Sequence, residues 1–296
     1  MIEMTIEERR RSLGGGLEVG RVLPFAKRRM VGPFIFFDHM GPIDLEAGSG
    51  RELDVRPHPH IGLSTVTYLF SGEVMHRDSV GSVQAIRPLE VNWMTAGSGI
   101  THSERFEKAR DDGDRLHGIQ AWVALPKEYE ESAPSFSHHA DADLPHWEER
   151  GVSGHLIAGS AYGLTAAART HSPLFYVHLE LAAGAEVEVP NAHAERAVYV
   201  ARGAVEVDGA GYGAGRMLVL DRNTSRLRAT EPTTVMLLGG DPVGERLIYW
   251  NFVSSSEERL AAAVADWRAG RMKLPDADGD EFIPAPDMPL PKFKSS

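Results

Sequence analysis

Two short pairs of residues carry the strongest chemical signal in this chain. His58 and His60 flank a proline, and His102 and Glu104 flank a serine. Residues two apart along an extended chain point the same way, so each pair presents both its members on one face. A folded sheet that brings the pairs together offers three imidazoles and one carboxylate to a single point. That is a donor set for a divalent transition metal of borderline ligand preference. One His-x-His alone is more often a pair of exposed or hydrogen-bonded core residues. Two pairs at the same spacing, each beside an apolar strand-like run, favour the metal. Gly97 and Gly99 precede the second pair, where they let the backbone bend or approach closely.

Short strands must position these residues. Residues 64–70 read as strand and turn at Ser71-Gly72; residues 73–77 return, and Gly81-Ser82 turns again. Residues 90–94 alternate up to the bend at Gly97 and Gly99, and residues 116–123 supply a further strand bearing His117 and Gln120. Gln120 is equally a substrate hydrogen-bonding group or a plain wall residue. Upstream, the apolar run ending at Phe37 reads as a strand buried on both faces. Asp38 and His39 follow it, and His39 stands either near the metal or in a structural hydrogen bond. Residues 43–56 read as a loop. Such a density of short strands predicts an antiparallel sandwich or barrel.

Residues 126–149 are rich in proline, histidine and acid, and read as a crossing between halves. His138 and His139 are adjacent, so they point to opposite faces and are expected, with His146, at the surface. Strand rhythm resumes from Val152 and includes a hairpin signal at Asp208-Gly209. Tyr68 to Gly72 and Tyr199 to Gly203 are spaced alike, which suggests a divergent repeat. On that alignment His58 and His60 become Val189 and Asn191, and the region matching the second pair is Arg222-Asn-Thr-Ser-Arg-Leu227. His193 and Glu195 remain, a weak pair, so the second half is expected to be structural. A helix is predicted over 254–270, with a hydroxyl cap and a Glu three residues on. Leu260, Val264 and Trp267 form its apolar stripe, and Gly270 its stop. The proline-rich tail beyond it cannot be helical.

A chain of 296 residues with 42% hydrophobic and 25% charged content is that of a globular protein of one large or two ordinary domains. It has no cysteine, which excludes disulfides, zinc–thiolate sites and thiol nucleophiles. A net charge of −11 argues against direct nucleic-acid binding. The basic clusters Arg9-Arg-Arg11 and Lys27-Arg-Arg29 are short and read as solvated faces. Residues 1–30 form a leading arm with strand content, in which Gly14-Gly-Gly16 breaks any helix. The charged start is not a secretory signal, and no run approaches the roughly 18 apolar residues of a membrane span. The expected location is the cytoplasm.

Several motifs resemble the pirin family of the cupin superfamily. They are Gly32-Pro-Phe-Ile-Phe-Phe-Asp38-His39-Met-Gly-Pro42, His58-Pro-His60-Ile-Gly-Leu-Ser-Thr-Val-Thr-Tyr68 and Thr95-Ala-Gly-Ser-Gly-Ile-Thr-His102-Ser-Glu104. His117-Gly-Ile-Gln-Ala-Trp-Val123 and Trp250-Asn-Phe-Val-Ser-Ser-Ser256 extend the match. The resemblance implies an all-β fold of two cupin-type antiparallel β-barrels (a bicupin), with a C-terminal helix and an extended tail. Taken with the break in composition, the expected division is residues 1–135 for the metal-bearing barrel, 136–150 for a linker, and 151–296 for a metal-free barrel with the closing helix and tail. It implies a mononuclear iron, with His58, His60, His102 and Glu104 on the ligand positions. Ile61 stands where some relatives carry a basic residue. Gln120, His117, Phe37 and Trp93 are expected behind the ligands or lining the pocket.

The family resemblance implies either a quercetin 2,3-dioxygenase or an iron-dependent regulator that binds a protein partner. As an oxygenase, the site would take Fe(II), a flavonol-like aromatic substrate and dioxygen, with Glu104 as ligand, as catalytic base, or as both in turn. Base duty needs a carboxyl pKa raised toward neutrality. Mn, Ni, Co, Cu and Zn are the other divalent ions such a set would hold, and a non-redox ion would suit a third class, a hydrolase or isomerase.

Overall fold

Side-chain character that alternates with a period of two folds here as strand, and strand dominates the molecule. A computed structural model describes residues 1–14, 17–48, 51–224 and 226–293. Gly15 and Gly16 of the early glycine run, and Ser225 of the 222–227 segment, lie outside the described residues. The only α-helices among the described residues are Glu107–Asp112 and Glu257–Arg268. The fold is all-β, as expected. Two compact units are interleaved in sequence: Met1–Arg11, Val19–His39 and His139–Pro242 make one, and Ser12–Glu18, Met40–His138 and Val243–Ser296 the other.

In the first unit a large antiparallel sheet runs in the order Ile2–Glu7, Arg216–Leu220, Glu195–Arg202, Thr233–Gly240, Leu174–Leu181, Val152–Ala161, His146–Glu149. A smaller sheet is built from Glu186–Glu188, Arg226–Ala229, Ala204–Val207 and Ala210–Gly213. The core lies between them. Phe175, Val177, Leu179 and Leu181 from one strand of the large sheet meet Val187, Val205, Val207 and Leu227 from the small one. Every second residue of each strand thus faces inward.

The second unit holds the histidine pairs. One sheet orders Val55–His60, Ile100–Arg105, Val74–Asp78 and Val83–Ile86. A second sheet has Ser135–His139, Val91–Thr95, Leu63–Ser71 and Asp114–Ala124 as consecutive neighbours. The two sheets face each other, since Trp122 meets His60 and Phe136 stacks on His76 across the gap. In the register of the second sheet Thr65 lies opposite both Met94 and Trp122, and Val66 opposite both Trp93 and Ala121. Residues paired across strands share a face. Trp122, Met94, Thr65, Gln120 and Thr67 therefore look toward the first sheet, and Trp93 looks the other way.

These units differ from the cut drawn at 135 and 151 from composition. The helix Glu257–Arg268 buries Leu260, Ala263, Val264 and Trp267 against Ile61, Leu247, Tyr249 and Phe252. Ile61 directly follows His60, so the closing helix belongs with the unit that carries the histidines. Ser256 caps it, accepting from the Arg259 N–H, and Gly270 follows with φ +67°. The segment read as a linker contains two edge strands, Ser135–His139 and His146–Glu149. Their short length and the surrounding prolines hide the alternation.

Candidate metal centre

Adjacent strands bring the two pairs together. In the register of Val55–His60 against Ile100–Arg105, His102 lies opposite His58 and Ile100 opposite His60. His58, His60 and His102 are buried, and each offers one ring nitrogen, all within 4.8 Å of one another. The Glu104 carboxylate lies outside that cluster of atoms. It stands on the same strand face as His102, half-buried and opposite His76.

Backbone carbonyls aim the rings. The His58 Nδ1 lies 2.9 Å from the Arg56 carbonyl and the His60 Nδ1 3.2 Å from the Asn251 carbonyl. A carbonyl only accepts, so each Nδ1 carries the proton and each Nε2 keeps its lone pair. Asn251 sits with Trp250 at the turn of the hairpin Leu247–Tyr249/Phe252–Ser254, where Trp250 has φ +53°. Glu130, buried beside Arg246 at 2.7 Å, holds the far end of that hairpin by accepting from the Ser255 N–H and the Ser254 hydroxyl.

Counting protons shows what the cluster lacks. From the Asn251 carbonyl the contacts run to His60, then His60 Nε2 to His102 Nε2 at 3.1 Å, His102 Nδ1 to His76 Nδ1 at 3.3 Å, and His76 Nε2 to Asp78 Oδ2 at 2.9 Å. There are four contacts, and both ends only accept. With one proton on each ring, three N–H groups serve four contacts, and the His60 Nε2–His102 Nε2 contact is then left with two lone pairs and no proton. A cation at the His60–His102 junction resolves this. A proton is disfavoured there, because burial holds His58 down at about 4 and His60 and His102 well below the ordinary histidine value. Ring nitrogens that hold one metal ion would each lie about 2.1 Å from it, which keeps any two of them within about 4.2 Å of each other. The observed 3.1 Å fits such a pair.

Burial alone raises the Glu104 carboxyl to about 7. The back of the same strand is braced by the C-terminal tail. Ser103 and Arg105, which alternate with His102 and Glu104, both bind Asp278, and Arg105 also reaches Asp54 and Glu281. The Ile283 N–H donates to the Pro57 carbonyl at 2.8 Å. The tail thus grips both strands that carry the pairs.

The other expected residues are dispersed. Gln120 shares the inward face with Trp122 and accepts from the Thr67 hydroxyl at 2.7 Å. His117 packs against Phe70, ring centroids 4.7 Å apart and planes tilted by 56°, about 17 Å along the strand from Trp122 by the usual rise per residue. Trp93 faces away from the site because its register pairs it with Val66. Phe37 belongs to the first unit, where its ring packs on Tyr199; His39 bonds the Tyr199 hydroxyl there at 2.8 Å. His193 contacts Asp241, and Glu195 holds Arg28 and the Gly32 N–H.

Four residues on the strands around the centre are not evident from the two pairs. His76 and Asp78 extend the chain of contacts, and their spacing of two was the available signal. Phe136 and His138 come from the presumed linker. His138 is not a surface residue: it is half-buried, 2.8 Å from the Asn92 side-chain oxygen.

Comparison with known proteins agrees with this architecture. The family model described as Pirin matches residues 16–123, and that of the Pirin C-terminal cupin domain matches residues 176–273. A pirin-like protein of Caulobacter vibrioides is 58% identical over 289 residues, covering 97% of this chain and all of the relative. The crystal structure of a quercetin 2,3-dioxygenase from Acinetobacter baumannii superposes with a TM-score of 0.87 at 34% identity, covering 97% of this chain and 95% of that one. A bacterial pirin from Escherichia coli, solved in complex with nickel(II), shares the fold with a TM-score of 0.65 at 20% identity over 82% of this chain. Both family models and a relative matched along its entire length lead to one conclusion: the chain belongs to the pirin family, built from two cupin domains.

Proposed function

We propose that this pirin is a mononuclear metal-dependent dioxygenase of the quercetin 2,3-dioxygenase type, opening the ring of a flavonol-like substrate. His58, His60 and His102 would hold the ion, with Glu104 as fourth ligand or as base. The observation that carries the proposal is the convergence of one ring nitrogen from each of His58, His60 and His102 within 4.8 Å, with Glu104 on the same strand face as His102; in the metal-free protein burial raises the Glu104 carboxyl to about 7. A general base works best when its pKa lies near the operating pH, and an ordinary surface carboxylate lies well below it. Likeness to the Acinetobacter baumannii quercetin 2,3-dioxygenase supports the substrate class.

A redox-active ion such as Fe(II), when bound, supplies the electron exchange with dioxygen that a closed-shell organic substrate lacks. The chain supplies the rest. Glu104 takes the proton of the flavonol 3-hydroxyl onto a carboxylate oxygen, which leaves an electron-rich ring. Trp122, edge-on to His60 at 5.2 Å between ring centroids, holds that imidazole and excludes water from one side. Gln120, whose oxygen is taken by Thr67, turns its NH₂ to a substrate oxygen. The overall change is balanced: flavonol and dioxygen give carbon monoxide and a ring-opened ester, with both oxygen atoms of dioxygen retained in the products.

Oxygen uptake by Fe(II)-loaded protein mixed with quercetin, with flavonol absorbance followed in parallel, tests the proposal. Coupled loss of both, absent in His60→Ala, is the expected result. Absence of uptake from protein that holds stoichiometric iron would overturn it and favour a binding protein whose iron is a sensor.

A further inference from the structure

We propose that His76 and Asp78 are positioning residues of the metal centre, a hydrogen-bonded pair that holds His102 in the one tautomer whose Nε2 lone pair faces His58 and His60. The inference rests on the three histidines being metal ligands; it does not depend on the reaction catalysed.

Asp78 is buried and its carboxylate is locked in orientation. Oδ1 accepts from the Val80 N–H at 3.0 Å and the Ser82 N–H at 2.9 Å, so Oδ2 is the oxygen turned to His76 Nε2, at 2.9 Å. A carboxylate only accepts, so the His76 proton sits on Nε2. With its one proton placed there, His76 presents Nδ1 as an acceptor, 3.3 Å from His102 Nδ1. The His102 proton must therefore sit on Nδ1, and its Nε2 is free to ligate. Phe136 stacks on His76 with ring centroids 4.5 Å apart and planes 17° from parallel, which clamps the intermediary ring.

The sheet register explains why these residues serve. His102 lies opposite Asp78 and Glu104 opposite His76, so ligand strand and relay strand share a face. Arg77, between the two, points away and pairs with Glu107. The arrangement is a carboxylate–histidine–histidine series ending at the ion. Acceptors behind a ligating imidazole fix its orientation and raise its basicity. His58 and His60 have carbonyls in that place, so His102 is the only one of the three backed by a charged group through an imidazole.

Asp78→Asn tests the inference directly. The Oδ1 position is held by two N–H donors and must remain oxygen, so the amide nitrogen turns to His76 Nε2 and donates to it. His76 then carries its proton on Nδ1 and donates to His102 Nδ1, and the His102 proton moves to Nε2, into the place of the ion. Co(II) affinity, measured by chelator competition, is expected to fall by about 10- to 100-fold, while the melting temperature of the metal-free protein stays that of the parent. Nitrogen-15 shifts of the Zn(II)-loaded parent are expected to show protons on His102 Nδ1 and His76 Nε2. His76→Gln, which keeps an acceptor opposite His102, is expected to bind Co(II) more tightly than His76→Leu. Parental affinity in Asp78→Asn, a proton on His76 Nδ1 in the loaded parent, or equal affinity in the two His76 variants would overturn the inference. If Asp78→Asn does not fold, the parent spectrum and the His76 variants decide. None of these readouts involves turnover, so they stand whether or not the dioxygenase proposal does.

Discussion

Replacing Glu104 with glutamine should make the metal-free protein more stable, because the site stores an unfavourable carboxylate. Burial raises this carboxyl from 4.5 to about 7. Between those values the folded protein keeps a proton that the unfolded chain has already lost. Stability therefore falls as pH rises from about 4.5 to about 7, and the loss is complete above that. At about 1.4 kcal/mol per pKa unit the full loss is about 3 kcal/mol near pH 8. Glutamine does not ionise and is spared it. The variant should exceed the parent by about 3 kcal/mol near pH 8 and by less than about 1 kcal/mol near pH 5. Urea denaturation of chelator-treated protein at the two pH values measures this as a shift in midpoint at constant slope. Adding a divalent ion should reverse the order, since the parent gains more from binding. Equal stability of variant and parent near pH 8 would refute the reasoning, for it would mean that the carboxylate is not desolvated.

Asp278→Asn removes the two-pronged partner of buried Arg105 and should cost about 3 kcal/mol in urea denaturation; an unchanged midpoint would show that Asp54 and Glu281 suffice. Ser256→Ala deletes the cap of the closing helix and should cost about 1 kcal/mol, read as a lower melting temperature with metal affinity unchanged. Gly62→Ala places a side chain at φ +69° against the Val253 carbonyl, two residues from His60. It should lower stability by at least about 2 kcal/mol and weaken Co(II) binding; parental values would show that this backbone is free to shift.

The two residue pairs were legible because a period of two leaves a mark on sequence, and the helix was legible because its stripe and cap are local. The helix was expected over 254–270 and spans Glu257–Arg268. What was not legible depends on register or on distant backbone. Trp93 and Trp122 are both aromatic residues on strands of one sheet, and only the pairing of Val66 with Trp93 and of Thr65 with Trp122 shows that they face opposite ways. The carbonyl that aims His60 comes from Asn251, 191 residues on, and leaves no trace in the side-chain pattern. The strand Ser135–His139 follows Pro134 among acidic residues, which obscured the alternation that turns Phe136 and His138 inward. His76 and Asp78 have the same spacing as the two pairs, but they lie on a segment whose composition reads only as a returning strand. The carboxyl shift of Glu104 needed the burial that only the folded chain provides.

Anomalous diffraction at the iron edge from crystals loaded anaerobically with Fe(II) tests the central claim most directly. The account predicts one strong peak within bonding distance of Nε2 of His58, His60 and His102, with a Glu104 oxygen turned toward it and His76 in contact only through His102. A peak elsewhere, a peak ligated by His76 or Asp78, or no peak from protein that retains iron in solution would contradict it.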